Sequence, residues 1–311
     1  MNPSDIIFKE CFKLKNDESV LIITDKNKKE IAEKLNISAL KVTSNVKIIE
    51  IPEAKVNGEE PSDNVADIMK KYDVVVAATS KSISHTKARV NACKSGARIA
   101  TMPGITLDMF ERTINVDYEK MKQLTLKLKF FIDKTNIVNI KTELGTELTL
   151  SLKNRISVSD YGELSKKCSF DNLPSGECFI APLEESANGT FVVDACMGTG
   201  LLKNPVKIIF ENGKAISFSG EEAEKVKSQF KGQSENAFTI AEFGIGTNSK
   251  AKITGKILED EKVLGTCHIA LGNNIGFGGT TDVPIHIDGV ITNPTIKLDG
   301  FLIMDRGNIL I

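Results

Sequence analysis

Two of the three histidines in the chain fall in the run Glu259 to Asp288, EDEKVLGTCHIALGNNIGFGGTTDVPIHID, which is cut by glycine at Gly265, Gly272, Gly276, Gly278 and Gly279. In Ile285-His286-Ile287-Asp288 apolar and polar residues alternate as on a half-buried strand, so His286 and Asp288 share a face. The segment Thr266-Cys267-His268-Ile269-Ala270-Leu271 reads as a second strand, and the glycine-rich link is long enough to lay it beside the first. Two imidazoles and a carboxylate on neighbouring strands form a ligand set for a divalent transition metal.

Two glutamates could complete such a site. Glu177 lies in NLPSGECFIAP, a turn leading into an apolar strand bounded by prolines, and Glu242 lies in TIAEFGIGTN, a single acid in an apolar, glycine-rich run. A carboxylate buried alone costs several kcal/mol, so each must be hydrogen-bonded, paired or bound to metal. Lys262 and Arg155 are the available salt-bridge partners. The set Glu177, Glu242, His268, His286 and Asp288 is large enough for two ions sharing a bridge, an arrangement that deprotonates water near neutral pH while polarising a carbonyl. That is hydrolase chemistry.

The elements that must position these groups divide in character. In the N-terminal part, the apolar runs Ser19 to Thr24, Val46 to Ile51, Asp73 to Ala78 and Ala97 to Thr101 alternate with helical patterns at Lys26 to Leu35, Ser62 to Tyr72 and Ser84 to Ser95, after a short amphipathic helix within residues 1–18. Strands alternating with helices predict a parallel sheet covered on both faces. Ligands of such sheets sit at the carboxyl ends of the strands. The segment there, Thr79 to Arg89, collects Ser80, Lys81, Ser84 and His85 ahead of a helix and has the composition of an anion or carboxylate site at a helix N-terminus. It lacks GxGxxG and GxxxxGK[ST], so a nucleotide is not its ligand.

A long helix over Asp108 to Phe131 leads out of this region. Beyond it the chain is mostly short alternating runs, at Ile137 to Lys141, Glu147 to Leu152, Phe191 to Ala195, Val206 to Phe210 and Ile296 to Leu298, with a hairpin turn at Glu211-Asn212-Gly213-Lys214 and one helix at Gly220 to Gly232. The expected fold class is α/β: an N-terminal parallel-sheet domain at 1–130 and a mainly β (α+β) domain carrying the metal site at 131–311.

Lys plus Arg number 40 against 41 Asp plus Glu, so no overall field attracts nucleic acid or an anionic membrane. A peptide or other small molecule is the expected ligand. The six cysteines show no CxxC spacing, the N-terminus lacks an apolar core of signal-peptide length, and no apolar run approaches the roughly 20 residues that span a bilayer, which together point to a soluble cytoplasmic protein with reduced thiols.

The phrases AATSKSISHTKAR, ATMPGIT, NLPSGECFIAP, AEFGIGTN, LEDEKVLGTCHIALGNN, FGG and IHIDG, in this order, resemble the metallo-aminopeptidases of the aminopeptidase T and aminopeptidase S type. The resemblance implies hydrolysis of N-terminal residues from peptides by metal-activated water, with Glu177, Glu242, His268, His286 and Asp288 holding one or two divalent ions (Zn, Co or Mn), and it implies a homodimer. The chain departs from that family at its tyrosine ligand, for Asn273-Asn274-Ile275-Gly276-Phe277 stands where the tyrosine belongs. The same phrases are similar to 2,5-dihydroxypyridine dioxygenase, a mononuclear Fe(II) ring-cleaving enzyme whose two histidines and aspartate match His268, His286 and Asp288, with His85 as the matching acid/base. A third reading is a non-catalytic binding protein on the same fold.

Overall fold

The computed structural model describes residues 2–198 and 200–311. The chain forms two compact units, Met1–Tyr118 with Asp160–Ser175, and Glu119–Ser159 with Gly176–Ile311.

In the first unit, the β-branched runs read from the sequence form β1 (Val20–Thr24), β2 (Val46–Glu50), β3 (Val74–Thr79) and β4 (Arg98–Pro103). They pair in parallel in the order β2-β1-β3-β4. Every residue of β1 and β3 is buried, as a sheet covered on both faces requires. One face packs Leu21, Ile23, Val75, Ala77 and Ile99 against helix residues including Val65, Met69, Ala88 and Ala92. The fifth strand, β5 (Phe170–Asn172), adds to β4 in parallel, so the chain returns to this unit after leaving it. Three residues carry too little pattern to be read as a strand, which is why a single boundary near residue 130 was expected.

Several helices are shorter than the sequence pattern suggests. The helix expected over Asp108 to Phe131 is two, Leu107–Thr113 and Tyr118–Ile132. The Asn115 side chain donates to the Glu111 carbonyl at 2.7 Å, a local bond that competes with continuation of the helix. The N-terminal segment is one α-turn, Pro3–Ile6, followed by the wider turn Ile7–Cys11. Within Gly220 to Gly232 only Ala223–Lys227 is α-helical, followed by a tight turn at Ser228–Phe230.

The second unit is built on two antiparallel sheets. The larger runs in the order Lys214–Ser219, Val206–Glu211, Asn188–Val193, Glu147–Ser151, Ile137–Lys141, Thr295–Leu298, Phe301–Asp305, Asn308–Ile309. At the predicted hairpin, Asn212 and Gly213 take φ of 47° and 78°, the left-handed pair of a two-residue turn that matches strand twist. The smaller sheet contains β6 (Glu177–Ile180), β7 (Ile240–Gly246), β8 (Cys267–Gly272) and β9 (His286–Ile291), which lie side by side in that order between short edge strands. Between the two sheets lies one apolar core in which Val138, Leu148, Phe191 and Ile208 of the larger meet Ile180, Phe243, Ile269 and Ile287 of the smaller. Among the described residues no helix is long and apolar enough to cross a membrane, and all six cysteines are free.

Phe191, 1% exposed, fills the centre of this core. Phe191→Ala is expected to lower the unfolding free energy by about 3–5 kcal/mol, read from the denaturant midpoint.

Candidate metal centre

Alternation along the four central strands of the smaller sheet sorts their residues onto two faces. Cys178, Ile180, Phe243, Ile245, Ile269 and Leu271 enter the apolar core. The other face carries all five expected ligands. Across it Glu177 stands opposite Gly246, His268 opposite Gly244, Ala270 opposite both Glu242 and Asp288, and His286 opposite Gly272. Each expected ligand thus has a glycine or an alanine opposite it on one neighbouring strand, with Val290 on the other side of His268, so the side chains can reach over the small residues. Gly244 is the tightest case: a Cβ there would lie 2.0 Å from His268 Nε2.

These positions gather the ligand atoms into two overlapping triads that share Glu242. In the inner one, His268 Nε2 lies 3.2 Å from Glu242 Oε1 and 3.2 Å from Glu177 Oε2. In the outer one, His286 Nε2 lies 3.3 Å from Glu242 Oε2 and 3.3 Å from Asp288 Oδ1. The inner triad is fully enclosed, whereas the His286 side chain is 29% exposed and opens the outer triad to solvent. A hydrogen bond from His286 Nδ1 to the Asn273 carbonyl at 2.7 Å turns Nε2 toward the carboxylates, the orientation a metal-ligating imidazole needs. Phe277, in the same loop, sets its edge against the His286 ring at 6.0 Å and against Phe179 at 5.4 Å.

The site suits a cation. Glu177 Oε2 and Asp288 Oδ1 are buried and have no hydrogen-bond partner among the described residues, although each faces an imidazole. A buried carboxylate oxygen without a donor costs free energy that an ion removes. Electrostatics say the same. Burial raises the Glu242 carboxyl, but hydrogen bonds from His268 and His286 outweigh it and bring it down to about 2. Burial lowers both imidazoles, yet Glu177 and Glu242 hold His268, and Asp288 and Glu242 hold His286, well above the ordinary value of 6.5. Without an ion, protons on the imidazoles supply the missing positive charge.

One expected partnership also forms. Lys262, 1% exposed, donates to Glu177 Oε1 at 2.5 Å and to Glu261 Oε1 at 2.6 Å. Burial pushes Glu261 up to about 8 despite this ammonium. Arg155, the other candidate, instead meets Glu184 at 2.6 Å.

The first unit holds the remaining sequence-derived candidates. His85 is exposed in the turn before the helix Lys87–Lys94. That helix begins at Lys87 and not at Ser84, because Thr86 caps it by accepting from Arg89 N at 3.2 Å. Its leading amides, expected to receive a substrate carboxylate, are bonded to the chain's own Glu60, at 2.6 Å from Lys87 N and 3.1 Å from Ala88 N. Ser80 bonds Asp25 through both its amide and its hydroxyl, and Ser84 Oγ bonds Thr101 at 2.7 Å and Asn172 at 3.1 Å. Lys81 is half-buried in the same turn. Sequence reasoning missed the Asn273 carbonyl, Phe277 and Gly244; for Gly244 the signal was its position two residues beyond Glu242, on the same strand face.

Gly244→Ala is expected to displace the His268 ring and lower affinity for a divalent ion by roughly 10- to 100-fold, with the core left intact, as read by titration calorimetry and circular dichroism. The raised imidazole values give a sign for pH. A group whose folded-state pKa exceeds its unfolded value stabilises below about pH 6.5 and loses that contribution as pH rises through the folded value. The ion-free protein is thus expected to lose stability on going alkaline. Ion uptake displaces the imidazole protons, so it should tighten with rising pH and release protons, measurable by calorimetry in buffers of different ionisation enthalpy.

A family model described as NicX, 2,5-dihydroxypyridine 5,6-dioxygenase, matches residues 6–311. The 2,5-dihydroxypyridine 5,6-dioxygenase of Pseudomonas putida KT2440 is 24% identical over 245 residues, covering 73% of this chain and 68% of that protein. A solved structure of 2,5-dihydroxypyridine dioxygenase from Pseudomonas putida KT2440 superposes with a TM-score of 0.85 at 18% identity, covering 99% of this chain and 96% of that one. Wild-type AmpT from Thermus thermophilus superposes with a TM-score of 0.71 at 16% identity, covering 99% and 98%. The likeness to AmpT is one of fold. The expectation of an aminopeptidase, with the hydrolase and proteolysis that go with it, is corrected by the family match, which falls on the dioxygenase. With a match that runs from residue 6 to the last residue, this chain belongs to the 2,5-dihydroxypyridine 5,6-dioxygenase family.

Proposed function

We propose that the protein is an Fe(II)-dependent dioxygenase that opens a dihydroxylated, nitrogen-containing aromatic ring of the 2,5-dihydroxypyridine class. The observation that carries the reading is the solvent-open triad of Glu242, His286 and Asp288, with His268 behind Glu242, in a chain of this family. In this reading His286 and Asp288 of the outer triad, with His268 across the shared Glu242, would hold one ion, two imidazoles and one carboxylate being the donor set of non-haem iron oxygenases. Bound Fe(II) would supply the redox chemistry through which molecular oxygen reacts with a closed-shell ring.

The chain's own residues have separate tasks. The Asn273 carbonyl fixes the His286 tautomer by accepting from Nδ1 and leaves Nε2 as the donor atom. Asp288 and Glu242 balance the positive charge at the imidazoles. Phe277 and Phe179, in edge contact beside the exposed part of His286, offer a flat apolar wall to an aromatic ring and keep water from that side. The larger sheet contributes rigidity through the shared core.

Anaerobic loading with Fe(II), followed by 2,5-dihydroxypyridine and oxygen, is expected to give oxygen uptake matched mole for mole by loss of the ring absorbance. H286A should lower the rate roughly a hundredfold or more at equal protein. A wild-type protein that holds iron and consumes no oxygen with dihydroxylated pyridines or benzenes would refute the proposal.

A further inference from the structure

The geometry points to Lys262 as a built-in cation that takes the place of a second metal ion and holds this centre at one divalent ion per chain. The inference rests on the metal-centre reading above and deepens it. Glu177, Glu242 and His268 are spaced as a cation site in their own right, buried and adjacent to the outer triad. That inner position already has a positive charge beside it. Lys262 Nζ sits 2.5 Å from Glu177 Oε1 while the other oxygen of the same carboxylate faces His268 at 3.2 Å.

The ammonium is placed there by the backbone and not by chance of a long side chain. Lys262 follows the short helix Ile257–Asp260, its amide donates to the Glu259 carbonyl at 2.9 Å, and its own carbonyl accepts from Asn248 N at 2.8 Å. The turn is pinned by two buried acids: Glu259 accepts from Lys252 N at 2.8 Å, and Asp260 accepts from Thr254 N and Gly255 N at 2.7 Å each. The lysine stem therefore has one way to go, into the sheet face.

Charge counting agrees. Glu177, Glu242 and Asp288 bring three negative charges, and one divalent ion together with Lys262 brings three positive ones. Glu261, whose carboxyl burial holds above the ordinary range, meets the same ammonium at 2.6 Å. A second divalent ion would have to share Glu177 with a buried ammonium already bonded to Glu177 and Glu261. Lys262 acts through Glu177 and is a positioning residue, one that selects a mononuclear centre from a scaffold with ligands enough for two ions.

The test reads metal content, not turnover. Wild-type protein equilibrated with excess Mn(II) or, anaerobically, Fe(II), then desalted and assayed by mass spectrometry for metal, is expected to hold one ion per chain; two would overturn the inference. K262R, which keeps the charge, should also hold one, and K262M should rise to two. A folded K262M with a single ion would overturn it. K262M strips the cation from Glu177 and Glu261, so its folding is followed by circular dichroism with and without Mn(II); folding only with the ion, at two per chain, supports the inference. If K262M does not fold at all, E177Q decides: an ion retained with affinity within a few-fold of wild type supports the assignment of Glu177 to the lysine, and loss of the ion overturns it. Activity separates the two proposals. One ion per chain with no ring cleavage sinks the dioxygenase and leaves Lys262 in its role, whereas ring cleavage at two ions per chain does the reverse.

Discussion

Three carboxylates and two imidazoles gathered on one largely buried face of a sheet do not persist without positive charge close at hand. An uncompensated buried ion costs several kcal/mol, a large share of the stability of a whole domain. The C-terminal unit meets this constraint with a lysine on Glu177 and with imidazoles that the carboxylates hold well above their ordinary pKa. Much else follows from it. The glycines and the alanine opposite each ligand exist because five long polar side chains must lie across the sheet, and the other face must be wholly apolar so that the strands cannot slip register and carry the ligands into the core.

The fold itself is indifferent to the chemistry. AmpT and the dihydroxypyridine dioxygenase superpose on this chain over nearly its full length, so the frame by itself does not specify a chemistry. In this chain the groups that adjoin the carboxylates and imidazoles are few and local. A loop that offers a backbone carbonyl and a phenylalanine, with no phenol, orients His286 and sets an aromatic ring beside it. A turn clamped by Glu259 and Asp260 delivers an ammonium to the inner triad. Neither requires any change in the sheets that carry them.

The first unit shows the opposite outcome for a similar-looking signal. Hydroxyls, a lysine and a helix start at the carboxyl end of β3 have the composition of an anion site, yet the chain fills it from within, with Glu60 on the helix amides and Asp25 on Ser80. An N-terminal helix dipole attracts whichever carboxylate is nearest. Composition reports the attraction and is silent on the source.

What the amino-acid order determined by itself is what local periodicity encodes: alternation put His286 and Asp288 on one face, apolar β-branched runs marked β1 to β4, and Asn212-Gly213 made a hairpin. It also singled out Glu177, Glu242, His268, His286 and Asp288, the side chains that the fold gathers, since acids isolated in apolar runs and histidines in a chain with only three are conspicuous. Tertiary structure alone decided the pairings. Lys262 and Arg155 were equivalent candidates for Glu177 until the turn after Ile257–Asp260 set one beside it, while the other met Glu184. The return of Phe170–Asn172 to the first sheet and the contact of Asn273 with His286 were likewise beyond local reading. The physical reason is range: backbone preference and hydrophobic alternation act over a few residues, whereas charge compensation is set by which side chains the fold leaves within a few ångströms of each other.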